Sequence, residues 1–183
     1  DTVPAPAVHV DLATLPYLVF RPAGGGWSIE RLTITPASLD PVHPRMFLRL
    51  AGPEQRSLQV TVGAPGTTGP GSSPLPSEIL TVRGQPAVET DEGTNRFRVT
   101  WDEAGASWMA DGEPFATRDE MVAILNDLAI VDEATWQAWL PPEARTIVTA
   151  HPDGGLDYYA GQGAATVATA APRQPVATQL TPR

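Results

Sequence analysis

The chain has 183 residues, 42% of them hydrophobic, with a formal net charge of -9 and a pI near 4.7, so it can bury one ordinary core and carries an acidic field that repels phosphate backbones and anionic lipid. No cysteine is present, which excludes disulfides, thiolate nucleophiles, thiolate zinc sites and iron–sulfur clusters. All 12 basic residues are Arg, which excludes a phosphate-loop lysine, a Schiff-base lysine and a Ser-Lys dyad.

Residues 1–14 mix Pro, Ala and Val without a helical period and read as an extended N-terminal arm. Residues 27–35, WSIERLTIT, read as a strand in which Trp27 and Ile29 share one face and Leu32 and Ile34 resume one residue out of phase, so a bulge is expected near Glu30 and Arg31. Met46, Leu48 and Leu50 alternate with Phe47 and Arg49, and Leu58, Val60 and Val62 alternate with Ser57, Gln59 and Thr61. These two runs predict an antiparallel hairpin. Residues 63–77, GAPGTTGPGSSPLPS, are too rich in Gly and Pro for a helix or a central strand and read as a loop. Residues 79–83 and 87–90 read as strands separated by Gly84-Gln85-Pro86.

Residues 95–129 are the most informative stretch. Phe97, Val99 and Trp101 alternate with Arg96, Arg98 and Thr100, a strand with one buried and one wet face. Residues 102–105 turn the chain into a short return strand bearing Trp108 and Ala110, and Asp111-Gly112 reads as a second turn. Thr117 and Glu120 spell a capping box ahead of a helix over residues 118–130, with Met121, Ile124, Leu125 and Leu128 on one stripe. Asp132 caps a second, short helix whose Trp136, Trp139 and Leu140 share a face, and Pro141-Pro142 ends it. A further strand is expected at residues 146–150 or 156–159, and the Pro/Ala/Thr-rich stretch 160–183 reads as an unstructured tail. The expected architecture is a single α+β domain over residues 15–159, a twisted antiparallel sheet of about six strands with two C-terminal helices packed on one face.

No residue stands out as catalytic, cofactor-binding or metal-ligating. His9, His43 and His151 lie far apart in Pro-rich segments without ligand spacing, and no GxSxG elbow occurs. GAPGTTG, residues 63–69, resembles a phosphate loop only superficially, having no lysine and no helix behind it. Glu89, Asp91 and Glu92, with Asp102 and Glu103 on a neighbouring hairpin end, read first as a solvated rim and second as a weak cation site, as does the Asp153–Asp157 stretch. The candidate interaction residues are Trp136 and Trp139, on a helix too short to stand alone, and Pro65, Pro70 and Pro74 of the Gly/Pro loop. For the two tryptophans, docking on the protein's own sheet ranks ahead of docking on a partner.

Several segments together resemble a bacterial domain family of unassigned function: Leu15-Pro16-Tyr17, the hairpin, Val82-Arg83-Gly84-Gln85, the run from Val99 to Gly105 leading to Trp108, and the helix opening Asp119-Glu120-Met121. That family is similar to the outward-facing, C-terminal module of anti-sigma factors and related membrane-anchored proteins. The resemblance covers residues 15–130 and implies an α+β fold and an extracytoplasmic location. It carries no catalytic residues, and the zinc-binding helical module by which many anti-sigma factors grip sigma is not in this sequence.

The expected function is a non-enzymatic extracytoplasmic sensing or protein-interaction domain with a protein partner, no nucleic acid and no cofactor. An accessory structural subunit of a cell-surface or membrane-associated assembly is the first alternative, and a small-ligand or lipid carrier the second. No apolar run approaches the ~20 residues that span a bilayer, so no span is expected. A chain that opens on Asp1 is expected to be a processed or trimmed form, either of which leaves room for a signal peptide or anchor upstream.

Overall fold

The structure is a computed structural model that describes residues 16–20, 26–37, 39–40, 42–66, 77–91, 93–150, 155–161 and 166–168. The N-terminal arm therefore lies outside the described residues, as do Pro70 and Pro74. In chain order the elements are β1 (Tyr17–Phe20), β2 (Ser28–Thr35), β3 (Arg45–Ala51), β4 (Ser57–Gly63), β5 (Ser77–Val82), β6 (Gln85–Asp91), β7 (Phe97–Glu103) and β8 (Ala106–Glu113). Then come α1 (Arg118–Leu125), β9 (Leu128–Val131), α2 (Glu133–Trp139), α3 (Pro142–Ala150), β10 (Gly155–Tyr159) and β11 (Thr166–Ala168).

Among the described residues the sheet is antiparallel, as expected, but larger: nine strands run β11-β10-β2-β3-β4-β8-β7-β6-β5, beside a separate two-stranded ribbon of β1 and β9. Three helices rather than two are present among the described residues, and β10 and β11 follow them, so the helices do not close the chain. β11 lies within the stretch that composition assigned to the tail. The expected bulge is there, as a register shift in β2 between Ile29 and Arg31.

The ladder registers sort the side chains into two faces. One row runs Leu32, Leu48, Val60, Ala110, Val99 across β2, β3, β4, β8 and β7, and all five are buried. The ribbon and helices cover this side: Leu18, Val19 and Phe20 of β1, Met121 and Leu125 of α1 and Trp136 of α2 are buried in the same core. Fully burying one such aliphatic side chain stabilises the fold by roughly 1.5–3 kcal/mol.

Three local expectations are corrected. Asp111-Gly112 is not a turn: both residues sit inside β8, opposite Gln59 and Leu58 of β4. The glycine serves a close approach instead, since a Cβ on Gly112 would lie 2.7 Å from Met121 Sδ and 2.7 Å from the Phe115 ring. The first helix stops at Leu125 rather than residue 130, because Leu128–Val131 turns away to pair with β1 in the register Phe20↔Leu128 to Tyr17↔Val131. Residues 146–150 are helical, not extended, while the other expected strand is β10. Pro141-Pro142 ends α2 and at once starts α3, with Pro142 at the first helical position, where its missing N–H costs no hydrogen bond, and Arg145 N–H donating to Pro141 O.

Both helix caps form as the sequence predicts. Thr117 Oγ1 accepts from Glu120 N–H at 3.3 Å, and Glu120 Oε2 accepts from Ala116 N–H at 3.1 Å, one residue earlier than the reciprocal bond of an ideal box. Asp132 Oδ1 accepts from Thr135 N–H at 2.7 Å, which holds the Asp132 carboxyl below its usual range.

Gly112→Ala is expected to destabilise the fold by about 1–3 kcal/mol, because Met121 and Phe115 are buried and have nowhere to swing. Urea unfolding followed by tryptophan fluorescence measures it; an unchanged midpoint contradicts the close packing of α1 on β8.

Candidate interaction face

The outer hairpin β5–β6 is placed by a polar clasp at the turn end of the sheet. Two hairpins there use two-residue turns with left-handed backbone, Arg83-Gly84 (φ 53 and 77) and Ala104-Gly105 (φ 54 and 73). The first turn brings Arg83 beside Glu103: Nε and Nη2 donate to the two carboxylate oxygens at 2.8 and 3.1 Å, with both side chains largely buried at 13% and 15% exposure. Glu103 also accepts from Trp101 Nε1 at 3.2 Å through its carboxylate and from Trp108 Nε1 at 2.9 Å through its backbone carbonyl. The two indoles stack across β7 and β8 with centroids 5.5 Å apart, a geometry that adds about 0.5–1.5 kcal/mol beyond burial. Arg83 N–H donates to Asn126 Oδ1 at 2.8 Å, tying the same turn to the end of α1.

At the other end of α1, Arg118 reaches back to the same hairpin. Its guanidinium donates to Glu78 of β5 and, at 3.2 Å, to Glu89 of β6, and these carboxylates hold its pKa above the usual guanidinium range. Glu89 is buried on the covered face, where the apolar row of Val60, Ala110 and Val99 ends, so an acid expected at a solvated rim is instead an internal anchor.

The opposite face carries the row Thr33, Phe47, Thr61, Met109, Thr100, Val88, Ile79 from β2 to β5. Thr100 is buried, Thr33, Phe47, Thr61, Met109 and Val88 are half-buried, and Ile79 is 86% exposed. Hydroxyl-bearing and apolar side chains alternate over the first five positions, and arginines flank the row: Arg31 lies 3.6 Å from Asp157, Arg49 lies 2.9 Å from Glu30, and Arg98 donates to Asp111 at 2.7 Å. Arg31 is also held between the Phe47 and Tyr159 rings, 5.4 and 4.6 Å from their centroids. Each of these three cations sits against a carboxylate, while Arg45, in phase with Phe47 on β3, is exposed.

Of the candidate residues, Trp136 is 3% exposed and packs on Tyr17, ring centroids 5.1 Å apart. Burial, with Glu133 alongside, raises the Tyr17 phenol pKa. Trp139 is half-buried and lines a surface groove of about 490 Å³ with Ala134, Thr135 and Ala138. Pro65 is exposed at the start of the loop, and the next residue, Gly66, donates its N–H to Ser107 Oγ at 2.8 Å. Ser107 Oγ in turn donates to Asp102 Oδ1 at 2.6 Å. Register puts Ser107 and Asp102 on the open face, so the loop leaves the fold on that side. Ser107 is spent on this tether. His43 is exposed, 3.8 Å from Asp40, while His9 and His151 lie outside the described residues.

Among the described residues no group of three or more His, Cys, Asp or Glu could hold a metal ion, and no helix is long and apolar enough to cross a membrane. Glu92 and Asp153 lie outside the described residues, and Asp157 accepts from Thr33 Oγ1 at 2.7 Å across β10 and β2. No family model, curated protein or solved structure matches the chain.

Glu103→Leu alone strands the Arg83 guanidinium and is expected to cost on the order of 3 kcal/mol, while the double change with Arg83→Met recovers a large part of that loss. A double-mutant cycle in urea measures it. Additive losses would show that Arg83 and Glu103 do not act as a pair.

Proposed function

We propose that the chain is a non-catalytic extracytoplasmic domain that engages a protein partner through the open face of its sheet. The carrying observation is the row Phe47, Thr61, Met109, Thr100, Val88, Ile79, which runs across six strands without a free charge in the row itself. A face of alternating apolar and hydroxyl side chains at the centre, with charged side chains along its flank, has the make-up of a protein-binding patch. Arg31, Arg49 and Arg98 are already offset by Asp157, Glu30 and Asp111, which favours a protein over a phosphate-bearing partner. Pro65 and the tethered Gly66 extend the same side.

The extracytoplasmic reading draws on the family resemblance. The segments that carry it, Val82-Arg83-Gly84-Gln85 and the run to Gly105 and Trp108, meet in the Arg83–Glu103 clasp. That contact is a structural reason for those two motifs to occur together in this chain.

A chain without cysteine gives clean single-cysteine reporters in intact cells of the source organism. A membrane-impermeant maleimide is expected to label Ala134→Cys readily while Thr61→Cys and Met109→Cys stay shielded, and all three are expected to label once the protein is purified. Equal labelling of the three in intact cells contradicts the face assignment. Failure of all three until the cells are broken contradicts the location.

A further inference from the structure

β5 ends the nine-stranded sheet among the described residues, and it is a regular edge. Its six residues pair with β6 without interruption, from Val82↔Gln85 to Ser77↔Thr90. Sheet edges are commonly blunted by a lysine, a proline, a bulge or an inward charge. The segment Ser77–Val82, SEILTV, carries no lysine, proline or bulge, and its one charge, Glu78, is held by Arg118 of α1.

The two-residue turn fixes which backbone groups are free. Val82 and Gln85 close the hairpin as a hydrogen-bonded pair, and such pairs recur at every second residue, so Val82, Leu80 and Glu78 direct their N–H and C=O toward β6. Ser77, Ile79 and Thr81 direct theirs outward. At the middle of that outward-facing set stands Ile79, 86% exposed, more so than Val42 at 67%.

We propose that two copies of this chain join through β5, antiparallel about a two-fold axis at Ile79. In this register Ile79 meets Ile79 of the second copy and Ser77 meets Thr81 in both directions, each a hydrogen-bonded pair, while Glu78 and Leu80 face each other in the intervening pairs. The exposed isoleucine falls on the one position that must face itself, where an apolar side chain gains area and a charged one would be repelled. On the same face next to it stands the exposed Thr81, a β-branched residue that suits a strand pair. The two sheets become one continuous sheet, and their open faces, Ile79 included, form a single surface. The net charge of -9 per copy opposes the approach of two acidic chains, so association strengthens as salt screens them.

Sedimentation equilibrium of the full chain across a concentration series tests this. A monomer–dimer equilibrium that shifts toward dimer with added sodium chloride is expected. Ile79→Lys and Thr81→Pro should each hold the protein monomeric at concentrations where the parent is mostly dimeric, and Val42→Lys should leave the dimer intact. Thr81→Pro removes an outward N–H that β6 does not use, so the hairpin survives, and unchanged far-UV circular dichroism verifies each variant's fold. A parent that is monomeric throughout, or a dimer that persists in either folded edge variant, overturns the proposal, and neither result bears on the cysteine-labelling test of the sheet face.

Discussion

The close seating of α1 on the sheet is the constraint from which the rest of the molecule follows. Gly112 lets Met121 and Phe115 approach β8 to a separation that no other residue type allows without displacement. The helix is then tied at both ends to the outermost hairpin: Arg118 to Glu78 and Glu89 at its start, Asn126 to the Arg83 turn at its end. A helix of eight residues is marginal alone. These contacts convert it into a lid over β5 to β8, while the β1–β9 ribbon and α2 close the remaining part of the core.

Because one face is sealed, the alternation of every central strand delivers its other residues to the opposite side. The sheet is therefore asymmetric, with an aliphatic and aromatic inside and an outside of threonines, half-buried apolar side chains and locally neutralised arginines. The tether from Gly66 to Ser107 to Asp102 holds the chain just after β4 against that outside. The fold and the proposed binding surface thus rest on the same period-2 patterns.

Much of this was legible locally. Alternation in β3, β4 and β7, the bulge at Ile29 and Arg31, and both N-caps depend on neighbours a few residues apart, and the sequence states them directly. What escaped were pairings whose partner is remote. Tyr17–Phe20 finds Leu128–Val131, and Asp157 finds Thr33 and Arg31, across more than half the chain. A four-residue apolar run such as Leu128–Val131 fits a helix or a strand until its partner is known. Asp111-Gly112 misled because glycine answers two needs, a left-handed turn or a close approach, and only the Met121 and Phe115 contacts show which one operates. Pro142 was ambiguous in the same way, as a stop for one helix and a start for the next. The sheet face as a candidate site had a weak signal, the half-polar strands themselves, whereas the tryptophans of α2 drew attention by type, and Trp136 proved to be core.

The sealed and open faces are most directly compared by methyl NMR of the purified chain with a soluble paramagnetic agent, in dilute solution. The account predicts little relaxation for the methyls of Leu48, Val60, Ala110 and Val99 and strong relaxation for those of Thr61, Met109, Val88 and Ile79. Equal protection of the two sets would show that both sides of the sheet are covered, and would contradict the division on which the functional reading stands.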